Sequence, residues 1–271
     1  MQNSIFANKI DPMAHPKTEN LSENRAFLYG DAFFETIIVE NGRPLLWDFH
    51  LERIKRSMKA LFMVESSEFT VDNIPQIIKN ETDKNPLEKN QRVRIHFYRS
   101  FGGLYAPELY TIQYEISCKK AEMPCVRFLK NAGFSNQVFL SNTIISALKT
   151  NNCLPYVLAG IEKQQEGFDD IILLDSLGNV AEANSSNIFW IKNNQIYTSI
   201  LQTGCIAGVR RASILKNNPF IKECFIKKED LLNSDLVFST NVAGIYIFEQ
   251  ILDQKFDHNP YFNILESFLK Y

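Results

Sequence analysis

The 271-residue sequence has no surplus of either charge, because 29 lysines and arginines stand against 31 aspartates and glutamates, for a net charge of -2. Without a basic excess it has no electrostatic footprint for nucleic acid. It has no apolar run that approaches the length needed to cross a bilayer. The polar, proline-containing segment 1–20 has the features of neither a signal peptide nor a transit peptide, and predicts an extended lead-in. We therefore expect a cytoplasmic protein that binds neither nucleic acid nor membrane.

Motifs for metals, nucleotides and several enzyme classes are absent as well. The five cysteines include no C-x-x-C pair and are expected to be reduced, mostly buried thiols. The four histidines are scattered, without a partner at metal-ligand spacing, so no structural metal is predicted. No G-x-G-x-x-G motif, Walker loop or G-x-S-x-G elbow occurs. The length favours two domains or one large domain.

Charge is scarce around one lysine. Lys149 is the only charged residue between Lys130 and Glu162. Desolvating an unpaired ammonium is costly, and the usual outcome is a lowered pKa and a neutral amine. A neutral lysine amine is a nucleophile that forms Schiff bases with carbonyls, including that of pyridoxal phosphate. A lysine with a covered stem and a solvated head fits the same stretch, so both interpretations stay open.

The first half of the chain has the alternation of an antiparallel sheet. Strands are predicted in AFLY, FFETIIVE, PLLW, VRIHFYRS and LYTIQYEIS. Asn41-Gly42, which lies between two of these runs, is a strong hairpin signal. Asp48 is predicted to be a helix N-cap. The apolar stripe of the helix that follows is formed by Leu51, Ile54, Met58 and Leu61.

The second half predicts another α+β unit. A helix is predicted to begin near Pro155 and to end at Gly167. DDIILLD and the hairpin NIFWIK-NNQ-IYTS predict strands, and a further helix begins after Gly208. We expect an N-terminal extension (1–20), a smaller α+β domain (21–118), a linker (119–128) and a larger α+β domain (129–271) that carries Lys149. Two such units predict a site in the cleft between them.

Several residues could serve chemistry in that cleft. A carboxylate at Glu182 could keep a pyridinium nitrogen protonated. Gly208-Val209, at a helix start, and Ser239-Thr240-Asn241 could supply hydrogen-bond donors to a phosphate. Arg53 lies on an amphipathic helix, and Tyr29 precedes a strand. Ordinary turns, solvated charges and sheet packing account for the same residues, so these alternatives also stay open.

Taken in order, residues 25–248 resemble the class IV aminotransferase family, the fold type IV enzymes that use pyridoxal phosphate. The opening signature of the family resembles NRAFLYGDAFFETIIVENGRPLLWDFHLERIKRSMKAL. Its C-terminal signature is a glutamate, an Asn-aliphatic-aromatic run, a hairpin with threonine and an aliphatic-x-Gly-aliphatic-x-basic turn. The matching residues are Glu182, Asn187-Ile188-Phe189, Ile196-Tyr197-Thr198 and Ile206-Ala207-Gly208-Val209-Arg210-Arg211. Many spaced matches are more specific than any one of them.

The resemblance implies a two-domain α+β fold of type IV, with pyridoxal 5'-phosphate in the interdomain cleft. Lys149 would carry the Schiff base and would move a proton between the substrate and the cofactor. Glu182 would face the pyridine nitrogen. The residues implied around the phosphate are Arg53, Gly208, Val209, Thr240 and Asn241.

On the substrate side, the resemblance places Tyr29 and the FGGLYAP loop, and Phe33, Leu104 and Tyr105 would line an apolar pocket. Family members usually cover the site with loops of a second subunit, so a homodimer is implied. Four positions depart from the family pattern. Asn184 replaces a smaller residue, Ala32 replaces a frequent glycine, Arg210 replaces a threonine near the phosphate, and Tyr156 has an unusual spacing from the lysine.

Two reactions fit this family. A transaminase would pass the amino group of an amino acid to a 2-oxo acid, whereas aminodeoxychorismate lyase makes 4-aminobenzoate and pyruvate for folate synthesis. The compact length and the missing proline before Gly208 favour the lyase. Leu104 and Ala207, where some lyases have arginine and asparagine, count against it. We expect a transaminase of amino acids with apolar side chains. A non-catalytic binding protein of the same shape is a third possibility, and the retention of Lys149 and Glu182 counts against it.

Overall fold

The computed structural model describes residues 21–67 and 69–270. The predicted lead-in at 1–20 lies outside the described residues. The helices are α1 (Arg25–Tyr29), α2 (Trp47–Ala60), α3 (Ile74–Thr82), α4 (Leu154–Glu166), α5 (Val209–Asn217), α6 (Lys228–Leu232) and α7 (Phe262–Ser267). The strands are β1 (Ala32–Glu40), β2 (Arg43–Pro44), β3 (Asn90–Arg99), β4 (Ile112–Lys120), β5 (Cys125–Leu129), β6 (Ala132–Leu140), β7 (Asp170–Asp175), β8 (Val180–Ala183), β9 (Asn187–Lys192), β10 (Gln195–Ser199), β11 (Lys222–Cys224), β12 (Leu236–Asn241), β13 (Gly244–Phe248), β14 (Gln250–Ile251) and β15 (Gln254–Lys255). The predicted α+β class is confirmed.

The first sheet is antiparallel, with the strand order β2-β1-β3-β4. The hairpin predicted at Asn41-Gly42 is confirmed, because both residues have a positive φ, 48° and 77°, as a two-residue hairpin turn requires. The stripe predicted on α2 faces this sheet. Ile54 and Met58 are buried in its core, with Leu51 packed beside them. The core of this sheet draws only on residues from 33 to 118.

Two further sheets form the rest of the chain. One has the order β11-β10-β9-β12-β13-β5, and the other has the order β15-β14-β6-β7-β8. Their hydrophobic cores draw on residues from 126 to 269. Helix α4 packs on β6 and β7; Pro155 lies in its first turn and Gly167 ends it at a φ of 71°, so both predicted limits are confirmed. The predicted assignment of domains stays a prediction.

Some local predictions were wrong. The run AFLY is helical, because the side chain of Asn24 accepts a hydrogen bond from the Phe27 N–H and caps α1. Of the predicted strand PLLW (44–47), only Pro44 lies in a strand, β2, and Leu46, not Asp48, is the N-cap of α2. The linker at 119–128 stays a prediction, and residues 121–124 connect β4 to β5. Within the described part of the chain, no helix has the length and apolarity to cross a membrane.

Candidate active site

A cavity of about 220 Å³ lies between the first sheet and the C-terminal half of the chain. Its lining includes side chains from β1 and α2 together with residues from β8, α5 and β12. Every residue predicted to contact the cofactor reaches this cavity, namely Arg53, Lys149, Glu182, Gly208, Val209, Thr240 and Asn241. Residues separated by up to 188 positions in the sequence therefore share one concave surface.

Backbone pairing with the start of β1 fixes Lys149. The Phe34 N–H donates to the Lys149 carbonyl at 2.9 Å, and the Asn151 N–H donates to the Ala32 carbonyl at 2.9 Å. Residues 149–151 thus continue the edge of the first sheet although they belong to the second half of the chain. The Lys149 Nζ lies 4.8 Å from the centre of the Phe34 ring. The amine is held at the junction of the two halves.

The surroundings of Lys149 favour a neutral amine. Burial, followed by repulsion from Arg53, lowers the pKa of Lys149, and the attraction of Glu35 and Glu182 opposes this only in part. No carboxylate of the described residues lies within ion-pair distance of its Nζ. The neutral-amine alternative left open by the sequence is therefore the one that the structure supports.

Glu182 is a buried carboxylate with three hydrogen-bond donors. The Tyr156 hydroxyl donates to its Oε1 at 2.7 Å, and the Ile206 N–H donates to the same oxygen at 3.1 Å. The Asn187 side-chain amide donates to Oε2 at 3.2 Å. Burial is the largest influence and raises the pKa of Glu182 to about 7, although these donors and Lys149 favour its ionised form. Its solvated-loop alternative is excluded, because the residue is 3% exposed.

Arg53 belongs to a buried charge cluster. Its guanidinium donates to both oxygens of Glu35 at 2.7 and 2.6 Å, and it also donates to the Ala207 carbonyl at 3.3 Å. The His50 Nδ1 lies 2.6 Å from Glu35 Oε2. Burial alone would raise the pKa of Glu35, but Arg53 and His50 outweigh it and lower that pKa to about 2. Glu35 therefore holds Arg53 in place at one end of the cavity.

The same end of the cavity presents hydrogen-bond donors. Helix α5 begins at Val209 after the N-cap Gly208, and the first N–H groups of a helix have no partner within the helix. Thr240 is buried, and its Oγ1 has no hydrogen-bond partner among the described residues. Arg210 donates to the Asn241 carbonyl at 2.7 Å, so its side chain holds this turn and does not replace the missing threonine. This arrangement suits an anion.

The four predicted substrate-side residues do not enter the cavity lining. Phe33 is 1% exposed and stacks on Phe97, so its side chain lies in the core of the first sheet and not in the cavity lining. Tyr29 and Tyr105 line a second cavity of about 250 Å³, which Thr150 also borders. Leu104 is 76% exposed. These residues do not form the expected apolar pocket in the described chain.

Phe34 takes the place predicted for Phe33, and it adjoins a basic surface. Phe34 and Thr36 line the cavity, and their partners directly across on β3 are His96 and Arg94. The Arg94 guanidinium lies 4.3 Å from the centre of the Phe34 ring, and the His96 ring stacks on it at 5.3 Å. Arg94 is exposed, and it forms no ion pair with a carboxylate in the described chain. A cation therefore stands beside the cavity.

Sequence reasoning missed Glu35, His50, Phe34 and Arg94. A signal for Glu35 existed, because a lone carboxylate within the run AFFETIIV requires a buried partner. His50 lies three residues before Arg53, on the same side of α2. The face on which Arg94 lies depends on strand register, which the sequence alone does not set. Asn184, noted as a departure, lines the cavity, and its Oδ1 has no partner among the described residues.

The sequence and the fold were compared with those of known proteins. The family model described as amino-transferase class IV matches residues 32–251. The chain is 28% identical over 246 residues to an aminodeoxychorismate lyase of Bacillus subtilis, with 80% of this chain and 76% of that protein covered. It is 26% identical over 227 residues to branched-chain-amino-acid aminotransferase-like protein 2 of Arabidopsis thaliana; the match covers 79% of this chain but only 40% of that longer relative.

The fold has a solved counterpart. The branched-chain amino acid aminotransferase of T.th., solved in complex with N-(5'-phosphopyridoxyl)-L-glutamate, superposes with a TM-score of 0.78 at 21% identity, over 91% of this chain and 86% of that one. The fold is therefore that of the fold type IV enzymes. This chain belongs to the class IV aminotransferase family. It is a pyridoxal-phosphate-dependent enzyme, a transaminase or a lyase.

The cavity fits that cofactor in its chemistry. An aldehyde reacts with a neutral amine, and burial favours that form of Lys149 by lowering its pKa. A phosphate needs donors and a cation, and the unpartnered Thr240 hydroxyl, the start of α5 and Arg53 meet at one end. A pyridine nitrogen needs a carboxylate, and Glu182 lines the same cavity.

Gly208→Ala is expected to weaken cofactor binding. A Cβ at residue 208 would lie 2.1 Å from the Asn187 Oδ1, and the Asn187 amide donates to Glu182 and to the Ile206 carbonyl. Overpacking of this kind costs about 1–3 kcal/mol, so affinity for pyridoxal phosphate should fall about tenfold or more. Fluorescence titration of the cofactor-free protein with pyridoxal phosphate measures this affinity. Gly178→Ala is the control for a strained glycine loss away from the cavity, because Gly178 has a φ of 78° and nothing lies within 4 Å of the added Cβ; equal affinities in the two variants would contradict this role of Gly208.

Proposed function

We propose that Lys149 binds the cofactor aldehyde and acts as the proton-transfer base of the reaction. Glu182 holds the ring nitrogen, while Arg53, Gly208, Val209, Thr240 and Asn241 hold the phosphate. When bound, pyridoxal phosphate supplies an electron-withdrawing ring that makes the carbon next to the substrate amine acidic. The observation that supports this assignment is that the Lys149 amine, whose pKa is lowered by burial, lines one cavity with the buried Glu182 carboxylate. The Lys149 amine, once released, takes the proton from that carbon and delivers it to a second atom.

Among the reactions open to this family, we propose the lyase reaction on 4-amino-4-deoxychorismate. A branched-chain substrate requires an apolar pocket, because burial of such a side chain contributes about 1.5–3 kcal/mol. The expected residues Phe33, Leu104 and Tyr105 do not reach the cavity. The cavity lining instead includes Thr36, and Arg94 lies directly across from it on β3. A polar substrate with two carboxylates matches this surface better than an aliphatic one.

The lyase reaction uses the same base. A proton leaves the ring carbon that carries the amine, the bond from the adjacent carbon to the enolpyruvyl oxygen breaks, and a proton is added to the released group to give pyruvate. The other product is 4-aminobenzoate, and no further reactant is needed. Lys149 can serve both proton transfers because its amine lines the cavity, 4.8 Å from the centre of the Phe34 ring.

Transamination is the second candidate, favoured by the same Lys149 and Glu182 pair and by relatives named as aminotransferases.

One assay separates the lyase reaction from transamination. The protein loaded with pyridoxal phosphate is given aminodeoxychorismate in one arm, and L-leucine, L-aspartate or D-alanine with 2-oxoglutarate in the others. Release of 4-aminobenzoate supports the lyase. Formation of glutamate without 4-aminobenzoate would reject it in favour of the transaminase.

Arg94→Leu is expected to raise the KM for aminodeoxychorismate by about 10–100-fold, because a charged hydrogen bond to a carboxylate contributes about 1.5–3 kcal/mol. The cofactor spectrum should not change, since Arg94 lies outside the cavity lining. Steady-state kinetics measure the effect. Arg92→Leu is the matched control, because Arg92 is exposed on the same face of β3, two residues further from Phe34. Equal KM changes in both variants would contradict a specific contact at Arg94.

We also propose a homodimer. Four exposed apolar side chains form one stripe on α4, at positions i, i+3, i+4 and i+7: Leu154, Val157, Leu158 and Ile161. An apolar helix stripe left in water typically marks a contact surface. A second copy of the chain is the partner implied by the family resemblance.

Leu158→Arg is expected to convert the dimer to a monomer, because a charge in the centre of an apolar interface costs several kcal/mol. Light scattering after gel filtration measures the mass. Leu177→Arg, at a turn where the side chain is 75% exposed, is the control and should remain dimeric. A wild-type protein that is monomeric at micromolar concentration would refute the proposed homodimer.

A further inference from the structure

Tyr156 connects α4 to the buried carboxylate of Glu182. Its hydroxyl lies 2.7 Å from Glu182 Oε1, the shortest of the three hydrogen bonds that this carboxylate accepts. Both residues line the cavity. The family resemblance left Tyr156 without a role, because its spacing from Lys149 is unusual. In the structure its hydroxyl is directed to Glu182.

The ionisation of Glu182 is finely balanced. Burial raises the pKa of Glu182 to about 7, and the Tyr156 hydrogen bond is the largest of the effects that lower it. The other ionisable groups that influence Glu182 are Lys149, the Arg211 guanidinium and the Cys205 thiol. A phenol that donates to a carboxylate stabilises the ionised form. The burial of Tyr156 itself, followed by the negative charge of Glu182 and the hydrogen bond to it, raises the pKa of Tyr156, so the phenol remains a donor.

We infer that Tyr156 is a positioning residue that keeps Glu182 ionised and directed into the cavity, so that a pyridine nitrogen meets an anion there. This inference rests on the proposed assignment of Glu182 to the ring nitrogen. Tyr156 acts through Glu182 and takes no part in the proton transfers assigned to Lys149. A neutral Glu182 could still fill its space, but it could not stabilise a protonated ring nitrogen.

A double-mutant cycle tests this role. The cofactor-free wild type, Tyr156→Phe, Glu182→Gln and the double variant are titrated with pyridoxal phosphate between pH 6 and 9. Tyr156→Phe should weaken binding about tenfold near pH 7, the effect expected for a lost hydrogen bond to a charged group. The ratio of the Tyr156→Phe and wild-type affinities should approach one at higher pH, where Glu182 is ionised even without the Tyr156 hydrogen bond. In the Glu182→Gln background, Tyr156→Phe should have no further effect.

Three outcomes would overturn the inference. A loss of affinity that is the same at every pH, or that persists in full in the Glu182→Gln background, would mean that Tyr156 contacts the cofactor directly or only packs. Wild-type affinity in Tyr156→Phe would also reject it. Tyr114→Phe, in the core of the first sheet, controls for loss of a phenol. A wild-type protein that binds no pyridoxal phosphate would instead refute the proposed function.

Discussion

Lys149→Ala is expected to lower turnover by about 10³-fold or more, because it removes both the amine that binds the cofactor aldehyde and the base that moves the proton. The visible absorbance band of cofactor held through Lys149 should disappear in the same variant. Pyridoxal phosphate should still bind weakly, since Arg53, Thr240 and Glu182 remain. Turnover and absorbance are measured on the same preparation.

Lys255→Ala is the control for Lys149→Ala, because Lys255 is an exposed lysine of the β14–β15 hairpin. It should retain wild-type turnover and spectrum. Turnover by Lys149→Ala within tenfold of the wild type would refute the assignment of Lys149 as the base. Loss of turnover with an unchanged visible band would separate the two roles, because the cofactor would then be held by another group.

The elements that could be predicted from sequence are those with a local cause. The Asn41-Gly42 turn requires positive φ at both residues, and the limits of α4 follow from Pro155 and Gly167. The helical stripe on α2 and the hairpin formed by β9 and β10 follow from periodicity. In each case the residues that decide the structure lie within one turn or one strand of each other.

The substrate side was harder to predict, because it depends on strand phase. Successive side chains of a strand point to opposite faces, so a shift of one residue exchanges the core and the cavity. The two residues of the run FF point to opposite faces: Phe33 lies in the core and Phe34 lines the cavity. Both are apolar, and their local pattern does not distinguish them. Arg94 joins the site only through its pairing with β1.

The pairing of Arg53 with Glu35 could not be predicted by local reasoning either, although the buried position of Glu35 had a local signal. Arg53 was assigned to the phosphate from the family resemblance, whereas its partner Glu35 lies 18 residues earlier on a strand. Nothing in an amphipathic helix indicates which of its arginines is buried. The pairing becomes evident only when α2 packs on the first sheet and brings the guanidinium to the carboxylate, with His50 on the same oxygen.

Glu35→Gln is expected to lower the free energy of unfolding by about 3–5 kcal/mol at pH 7, because it leaves the buried Arg53 without its counterion. The effect should depend on pH. The pKa of Glu35 falls from an ordinary 4.5 to about 2 on folding, so its ionised form contributes on the order of 3 kcal/mol above pH 4.5. That contribution is lost as the pH falls from 4.5 towards 2. Urea unfolding at pH 7 and pH 3 should therefore show a smaller difference between wild type and variant at pH 3.

Asp83→Asn is the matched control for Glu35→Gln, because it makes the same change of carboxylate to amide in the exposed Lys79–Asp83 pair of the first half. Exposed pairs contribute about 0–1 kcal/mol, so this variant should remain close to the wild type. Cofactor affinity should also fall in Glu35→Gln, since Arg53 would lose both hydrogen bonds that orient it. If Glu35→Gln were no more destabilising than Asp83→Asn, the cluster would not be the support of the phosphate end of the cavity.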